Sequence, residues 1–160
     1  MTVTLVLGGA RSGKSEVAER LLAGRDDVVY VATAEVAEDA DLAARVARHT
    51  ARRPGSWATA ETTDVAGALR AHPDHPVLVD SLGAWVAGAS GFAVDVEGLV
   101  AALAARRADV VVVAEEVGLG VHPETEVGRR FRDALGTLNQ RVAEVADRVL
   151  LVVAGRTVEL

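Results

Sequence analysis

The chain has 160 residues, no cysteine and a formal net charge of −6 at pH 7. Its length predicts a single domain spanning 1–160, the lack of cysteine excludes disulfides and thiolate metal sites, and the acidic balance argues against a general nucleic-acid binder. No apolar run reaches the roughly 18 residues of a membrane span, and no basic region precedes the N-terminal apolar run, so we expect a cytoplasmic protein without a signal peptide.

Five apolar, β-branched runs predict strands, and a short sixth run closes the chain. The runs are 3–8, 28–33, 76–81, 109–118 and 148–155, followed by 157–160. Nearly continuous apolar runs favour strands that are buried on both faces, as in a parallel sheet.

Helical patterns lie between these strands, over 16–23, 39–53, 63–71, 94–107 and 123–147. The last pattern is the strongest, and it places Pro123 at a first-turn position. Strand alternating with helix predicts a three-layer α/β domain with a mostly parallel sheet.

The segment GGARSGKS between the first strand and the first helix matches the phosphate-binding P-loop motif. The predicted phosphate cradle consists of Gly8, Gly9, Ala10, Arg11, Ser12, Gly13, Lys14 and Ser15. Its backbone amides and the helix N-terminus suit phosphate oxygens. Lys14, the single lysine of the chain, is expected on the outer phosphates as a catalytic charge, and the Ser15 hydroxyl is expected to hold Mg²⁺.

A P-loop enzyme needs an acidic partner at the end of another strand. Asp80 closes the third strand and is the first candidate for orienting Mg²⁺. Glu115 and Glu116 close the next strand, and both compete with Asp80 for metal or base work. The alternative interpretation of these features is a glycine-rich turn that binds nothing, with a turn aspartate and solvent-facing glutamates.

Four further patterns accompany GGARSGKS. They are Tyr30, Ala32 and Thr33; Arg45, His49, Arg53, Pro54, Trp57, Thr59 and Glu61; Glu116, Val117, Gly118, Gly120 and Pro123; and Arg129, Phe131, Arg132, Asp133, Gly136, Asn139, Gln140 and Ala143. Together they resemble the bifunctional adenosylcobinamide kinase / adenosylcobinamide-phosphate guanylyltransferase family, and the resemblance covers essentially the whole chain.

The resemblance implies a RecA-like sheet and two successive reactions. A nucleoside triphosphate, ATP or GTP, phosphorylates the hydroxyl of the aminopropanol arm of adenosylcobinamide. GTP then donates GMP to that phosphate through a GMP-histidine intermediate, which gives adenosylcobinamide-GDP and pyrophosphate. The implied partners are adenosylcobinamide and its phosphate, without nucleic acid. The family habit, a core of small aliphatic side chains and the apolar segment 82–94, which we expect to be exposed, favour a homotrimer.

Matching motif to motif, the resemblance places His49 at the guanylylated histidine. It places nucleotide contacts at Thr33, Ala34, Glu35, Thr50, Ala51, Arg52, Arg53, Glu61 and Asp80. Arg48 stands where some members of the family have a second, adjacent histidine, which leaves one candidate nucleophile.

The residues alone leave alternatives open. Without the resemblance, His49 is better read as a packed helix residue, and we expect His72 and His75 to be solvated and His122 to be a cap or solvated. One alternative function is a kinase of another small hydroxyl substrate. Another is a nucleotide-sensing module without turnover.

Overall fold

A computed structural model describes residues 1–33 and 54–160 of the protein. Its described strands form one seven-stranded sheet in the order β3-β2-β4-β5-β1-β6-β7, in which only β7 runs antiparallel to its neighbour. The strands are β1 Val3–Gly8, β2 Val29–Ala32, β3 Ala58–Glu61, β4 Val77–Asp80, β5 Val110–Glu115, β6 Arg148–Val153 and β7 Arg156–Glu159. The predicted mostly parallel α/β fold is confirmed.

Helices connect these strands. They are α1 Lys14–Leu21, α2 Val65–Ala71, α3 Leu82–Gly88, α4 Val96–Ala104 and α5 Glu126–Ala143, with a short 3₁₀ turn at Ser90–Phe92. Four of them begin at a polar residue, Asp64, Ser81, Asp95 or Thr125, whose side chain accepts a hydrogen bond from a backbone N–H of the first turn. Among the helices of the described residues, none combines the length and apolar character needed to cross a bilayer.

The helices cover both faces of the sheet. Alternate residues of β1 point in opposite directions, so Leu5 and Leu7 pack in the cluster that contains α2 to α5, whereas Val6 packs with Val17 and Ala18 of α1. All six residues of β1 are therefore buried. This arrangement gives the three layers that the alternation of strand and helix predicts.

Three details of the sequence-based prediction are wrong, and one lies outside the described residues. The sequence predicts that segment 82–94 is exposed, but its large apolar residues Leu82, Trp85 and Val86 are buried, because α3 turns one apolar face into the core. Only the later part, at Ala87, Gly88, Ser90, Gly91 and Ala93, is exposed. Pro123 precedes the helix instead of standing in its first turn, since Thr125 is the N-cap. Edge strand β3 carries too few apolar residues to be seen as a strand. The predicted helix 39–53 lies outside the described residues.

Arg106 is a buried cation that holds the turn leading into β4. It is 4% exposed, and its guanidinium donates hydrogen bonds to the backbone carbonyls of Leu69, His72 and His75. Burial lowers the pKa of Arg106, and Asp74 nearby offsets part of that effect. The pKa of an arginine is so high that Arg106 stays charged. Arg106 therefore fixes the N-terminal end of β4, whose other end carries Asp80.

We expect Arg106→Met to lower the free energy of unfolding by about 3 kcal/mol, because buried carbonyls lose their donors. The neighbouring Arg107 is the matched control, since its guanidinium makes an exposed ion pair with Asp74. Arg107→Met should leave the denaturation midpoint nearly unchanged. Urea denaturation of both variants measures the difference, and equal midpoints would contradict the structural role of Arg106.

Candidate active site

The P-loop joins β1 to α1 in a backbone conformation that depends on glycine. Gly13, the N-cap of α1, has a φ of 91°, in the left-handed region that favours glycine. The turn between β6 and β7 supports the loop from outside, because the Gly155 N–H donates to the Ser12 carbonyl at 2.7 Å. The loop thus opens into the N-terminus of α1, where backbone amides suit an anion.

Lys14 is held beside the loop by two oxygen atoms. Its Nζ lies 3.5 Å from the Gly9 carbonyl and 3.5 Å from Oε1 of Glu115, and its side chain is only 12% exposed. The ammonium therefore lies between the P-loop backbone and the end of β5. The Glu115 carboxylate contacts the Lys14 ammonium on a side that phosphate oxygens of a bound nucleotide would otherwise occupy.

Ser15 and Asp80 come together from α1 and β4. The Ser15 hydroxyl donates to Oδ1 of Asp80 at 3.5 Å, and the Tyr30 hydroxyl donates to Oδ2 at 3.0 Å. One hydroxyl and one carboxylate fit the way proteins bind Mg²⁺, with one or two protein oxygens and the rest from phosphates and water. Residues 1–33 and 54–160 contain no cluster of three or more His, Cys, Asp or Glu for an all-protein metal site.

Glu115 lies at the centre of this edge of the sheet. Its Oε1 accepts a hydrogen bond from the Ser81 hydroxyl at 3.0 Å in addition to its contact with Lys14. Its Oε2 is buried and has no hydrogen-bond partner among the described residues. The Asn139 side chain donates to the Glu115 carbonyl at 3.1 Å and so fixes the end of β5 from helix α5.

A close approach at Gly83 shapes the position of Glu115. A Cβ added at Gly83 would overlap Oε2 of Glu115 and would stand 2.7 Å from its Cδ. Because Gly83 has no side chain, the carboxylate lies against the first turn of α3. Sequence reasoning missed the roles of Ser81, Gly83 and Asn139, although Ser81 directly follows the predicted Asp80 and Asn139 belongs to a recognised pattern.

Two other predicted nucleotide contacts, Thr33 and Glu61, lie along the same edge. Thr33 is buried, and its hydroxyl donates to the Ser81 carbonyl at 2.6 Å and accepts from the Ser81 N–H at 3.1 Å. Glu61 is exposed at the end of β3 and is in register with Ala32, which is also in register with Asp80. The ends of β2, β3 and β4 therefore lie side by side.

The remaining predicted site residues lie outside the described residues. They are Ala34, Glu35, His49, Thr50, Ala51, Arg52 and Arg53. Of the other histidines, His72 and His75 contact each other edge to face across 6.0 Å, and exposed His122 has its Nδ1 2.9 Å from the guanidinium of Arg132. Glu116 accepts a hydrogen bond from the Gly118 N–H in the turn after β5.

Sequence comparison decides the family. The profile of the family described as cobinamide kinase / cobinamide phosphate guanyltransferase matches residues 4–160. The chain belongs to this family. A curated relative from Salmonella typhimurium is named bifunctional adenosylcobalamin biosynthesis protein CobU. It is 38% identical over an alignment of 184 positions, gaps included, which covers 98% of this chain and 98% of the relative. A Pseudomonas aeruginosa relative, named bifunctional adenosylcobalamin biosynthesis protein CobP, is 40% identical over 161 residues, which cover 94% and 92%.

Two solved structures share the fold of this family member. A bacteriophage phi6 protein in complex with ADP has a TM-score of 0.50 at 20% identity over 98% of this chain. A type III secretion system ATPase from pathogenic bacteria has a TM-score of 0.50 at 11% identity over 99% of this chain. The chain spans 54% and 56% of the lengths of these two proteins. The likeness confirms the P-loop α/β fold, and at these identities it concerns the fold alone.

The contact between Gly83 and Glu115 generates a stability prediction. Gly83→Ala should lower the free energy of unfolding by about 1 kcal/mol, because the added methyl group forces the flexible end of the Glu115 side chain to move. Gly88→Ala is the matched control in the same helix, since a Cβ there meets nothing within 4 Å. It should be neutral or stabilise by up to about 1 kcal/mol. Thermal and urea denaturation check the pair, and a Gly83→Ala protein as stable as Gly88→Ala would contradict the packing argument.

Proposed function

We propose that this family member carries out both reactions of its family within one P-loop domain spanning 1–160. In the first, ATP or GTP phosphorylates the aminopropanol hydroxyl of adenosylcobinamide. In the second, GTP donates GMP to the resulting phosphate and pyrophosphate leaves. The observation that carries the proposal is the contact between Ser15 and Asp80 next to Lys14, whose Nζ lies 3.5 Å from the Gly9 carbonyl of the P-loop, in a chain that matches the family over residues 4–160.

The phosphate site works by placing positive charge where negative charge builds. The P-loop amides, from Gly8 to Ser15, bind the phosphate oxygens, and Lys14 neutralises the transferring group. Ser15 and Asp80 would hold Mg²⁺, Ser15 through its hydroxyl and Asp80 through its carboxylate. When bound, Mg²⁺ would neutralise part of the negative charge of the phosphates. The 3.5 Å separation of the Ser15 and Asp80 oxygens supports their sharing one ion.

The proposed nucleophile of the second reaction is His49. An imidazole nitrogen attacks the α-phosphorus of GTP, a nitrogen–phosphorus bond forms, and the bond to the bridging oxygen breaks so that pyrophosphate leaves. An oxygen of adenosylcobinamide phosphate then attacks the same phosphorus and displaces the imidazole. Arg48 cannot replace His49, because a guanidinium keeps its protons. Support for His49 comes from the family pattern around it.

The proposed nucleotide contacts outside the P-loop and Asp80 fall in three places in the chain, at 33–35, 50–53 and 61. Thr33 and Glu61 lie at the carboxyl edge of the sheet, on the side where Asp80 meets the P-loop. The others, which the family pattern supports, are Ala34, Glu35, Thr50, Ala51, Arg52 and Arg53. The arginines would stabilise charge on the departing pyrophosphate. A homotrimeric assembly and a cytoplasmic location complete the proposal. The trimer rests on the family resemblance, because Leu82, Trp85 and Val86, the apolar side chains that were expected to favour assembly, are buried in the core.

Asp80→Asn tests the metal assignment. The variant should need at least tenfold more Mg²⁺ for half-maximal kinase activity and should turn over more slowly, because an amide binds Mg²⁺ more weakly than a carboxylate. Asp74→Asn is the control, since Asp74 pairs with Arg107 at the opposite end of β4. Mg²⁺ titrations of kinase turnover measure both. The same Mg²⁺ requirement in the Asp80→Asn and wild-type proteins would refute the assignment.

His49→Ala tests the covalent step. The wild-type protein, mixed with Mg²⁺ and GTP, should gain one GMP per chain as an acid-labile, alkali-stable phosphoramidate, which intact-mass spectrometry detects. His49→Ala should lose the adduct and guanylyl transfer but keep measurable kinase activity, because Lys14 and Asp80 remain. His75→Ala is the control, since this exposed residue lies in the turn that enters β4.

Two outcomes would contradict this mechanism. Continued uptake of GMP by the His49→Ala protein would exclude His49 as the nucleophile. A wild-type protein that phosphorylates a hydroxyl substrate but never forms the adduct would instead be a kinase of another small substrate.

A further inference from the structure

The kinase reaction needs an acceptor for the proton of the attacking hydroxyl, and three carboxylates stand near the P-loop. They are Asp80, Glu115 and Glu116. Each makes different contacts in the structure, and these contacts separate them. Hydrogen bonding decides which carboxylate can still accept a proton once the nucleotide is bound.

Asp80 and Glu116 both make hydrogen bonds that serve other purposes in the structure. Asp80 accepts from Tyr30 through Oδ2 and from Ser15 through Oδ1, and the second contact is the proposed metal position. Glu116 turns its Oε1 to the Gly118 N–H, and its own N–H donates to the Gly8 carbonyl, so it shapes the turn after β5.

Glu115 has an acceptor position that nucleotide binding would vacate. Its side chain is 28% exposed, and its Oε1 contacts two groups, the Ser81 hydroxyl at 3.0 Å and the Lys14 ammonium at 3.5 Å. The hydroxyl of Ser81 stays in place, because Ser81 also caps helix α3. A nucleotide that drew Lys14 to its phosphate oxygens would free the acceptor position of Oε1 that Lys14 now occupies.

The position of Glu115 in the sheet supports a place for Oε1 beside the phosphoryl group that the P-loop would hold. Glu115 is in register with Gly8, the first residue of the P-loop, and β5 lies between the P-loop strand and the strand of Asp80. A hydroxyl that attacks a phosphorus atom held by Lys14 must approach within a few ångströms of that lysine, and Oε1 is 3.5 Å from its Nζ in the structure.

From this geometry, and resting on the proposed kinase function, we propose that Glu115 is the general base of the phosphorylation step. The substrate hydroxyl gives its proton to Oε1 of Glu115 as its oxygen bonds to the γ-phosphorus. The bond between that phosphorus and the bridging oxygen breaks, and the nucleoside diphosphate leaves. The proton passes from Glu115 to solvent after product release. Ser81 and Gly83 hold the carboxylate in place, one by a hydrogen bond and the other by leaving room.

The test compares Glu115→Gln with Glu116→Gln in the full chain. Glu115→Gln should lower kinase kcat at least ~100-fold. Its KM for ATP should stay the same or fall, because a neutral amide competes less with phosphate for Lys14. Formation of the GMP adduct and guanylyl transfer to supplied adenosylcobinamide phosphate should stay within about threefold of wild type, since that chemistry needs no proton from a hydroxyl. Glu116→Gln should lower neither activity more than about threefold.

A second measurement separates a base from a residue that only positions Lys14. A cobinamide analogue with a fluorinated, more acidic propanol arm needs less help from a base. The Glu115→Gln protein should therefore turn over this analogue at least tenfold faster than it turns over the normal substrate. Glu115→Asp, which keeps the carboxylate but draws it back, should fall between the wild-type and Gln proteins.

The proposal is overturned if Glu115→Gln keeps its kinase turnover. It is also overturned if the variant loses kinase activity and guanylyl transfer equally. A KM for ATP that rises as much as kcat falls would overturn it too, because a residue that only positions Lys14 would have that effect. If the Glu115→Gln protein fails to fold, the Glu115→Asp protein decides the question. Its kinase turnover must then increase more than that of the wild type when the substrate alcohol is made more acidic. A wild-type protein that lacks both activities would instead refute the proposed function.

Discussion

The placement of β5 between β1 and β4 is the constraint on which the site depends. Parallel strands end at the same edge of a sheet, so the order β4-β5-β1 brings Asp80, Glu115 and the P-loop together without any long-range loop. The register sets the spacing, because Glu115 pairs with Gly8 and Val113 pairs with Asp80. Glu115 consequently extends past Asp80 and reaches both Lys14 and Ser81. Helices on both faces hold the three strands in this order.

Much of the fold could be predicted because its strands are buried on both sides. Continuous runs of valine and leucine in β1 and β5 indicate a parallel sheet, and the P-loop shows which strand leads into the first helix. Edge strand β3 could not be predicted in the same way. Three of its four residues are exposed, so its sequence carries no burial pattern, and it becomes a strand through its hydrogen bonds to β2. The burial of Leu82, Trp85 and Val86 could not be predicted either. The helix that contains them has only seven residues, which is too short for a helical period to show in the sequence.

Some residues of the candidate site could be predicted from the sequence, and others could not. Lys14, Ser15 and Asp80 follow from a motif whose chemistry is local to a loop and a strand end. Glu115 and Glu116 are adjacent and chemically alike, so the sequence cannot rank them. Their difference arises from partners distant in the chain, since Ser81 and Gly83 arrive from another strand end and Lys14 from the first helix. Only the three-dimensional arrangement shows that one glutamate serves a turn while the other faces the phosphate site.

The hydrogen bond from Gly155 to the Ser12 carbonyl gives the β6–β7 hairpin a share in the nucleotide site. The hairpin itself is held by the antiparallel backbone pairing of β6 with β7, and the exposed ion pair between Arg148 and Glu159 lies at its open end, at the outer edge of the sheet. A mechanical link therefore runs from that exposed edge, through a tight turn, to the backbone that would cradle phosphates. Displacement of β7 would break this hydrogen bond and leave the Ser12 carbonyl without the donor that the hairpin supplies. The strand that closes the sheet thus also acts as a brace for the loop.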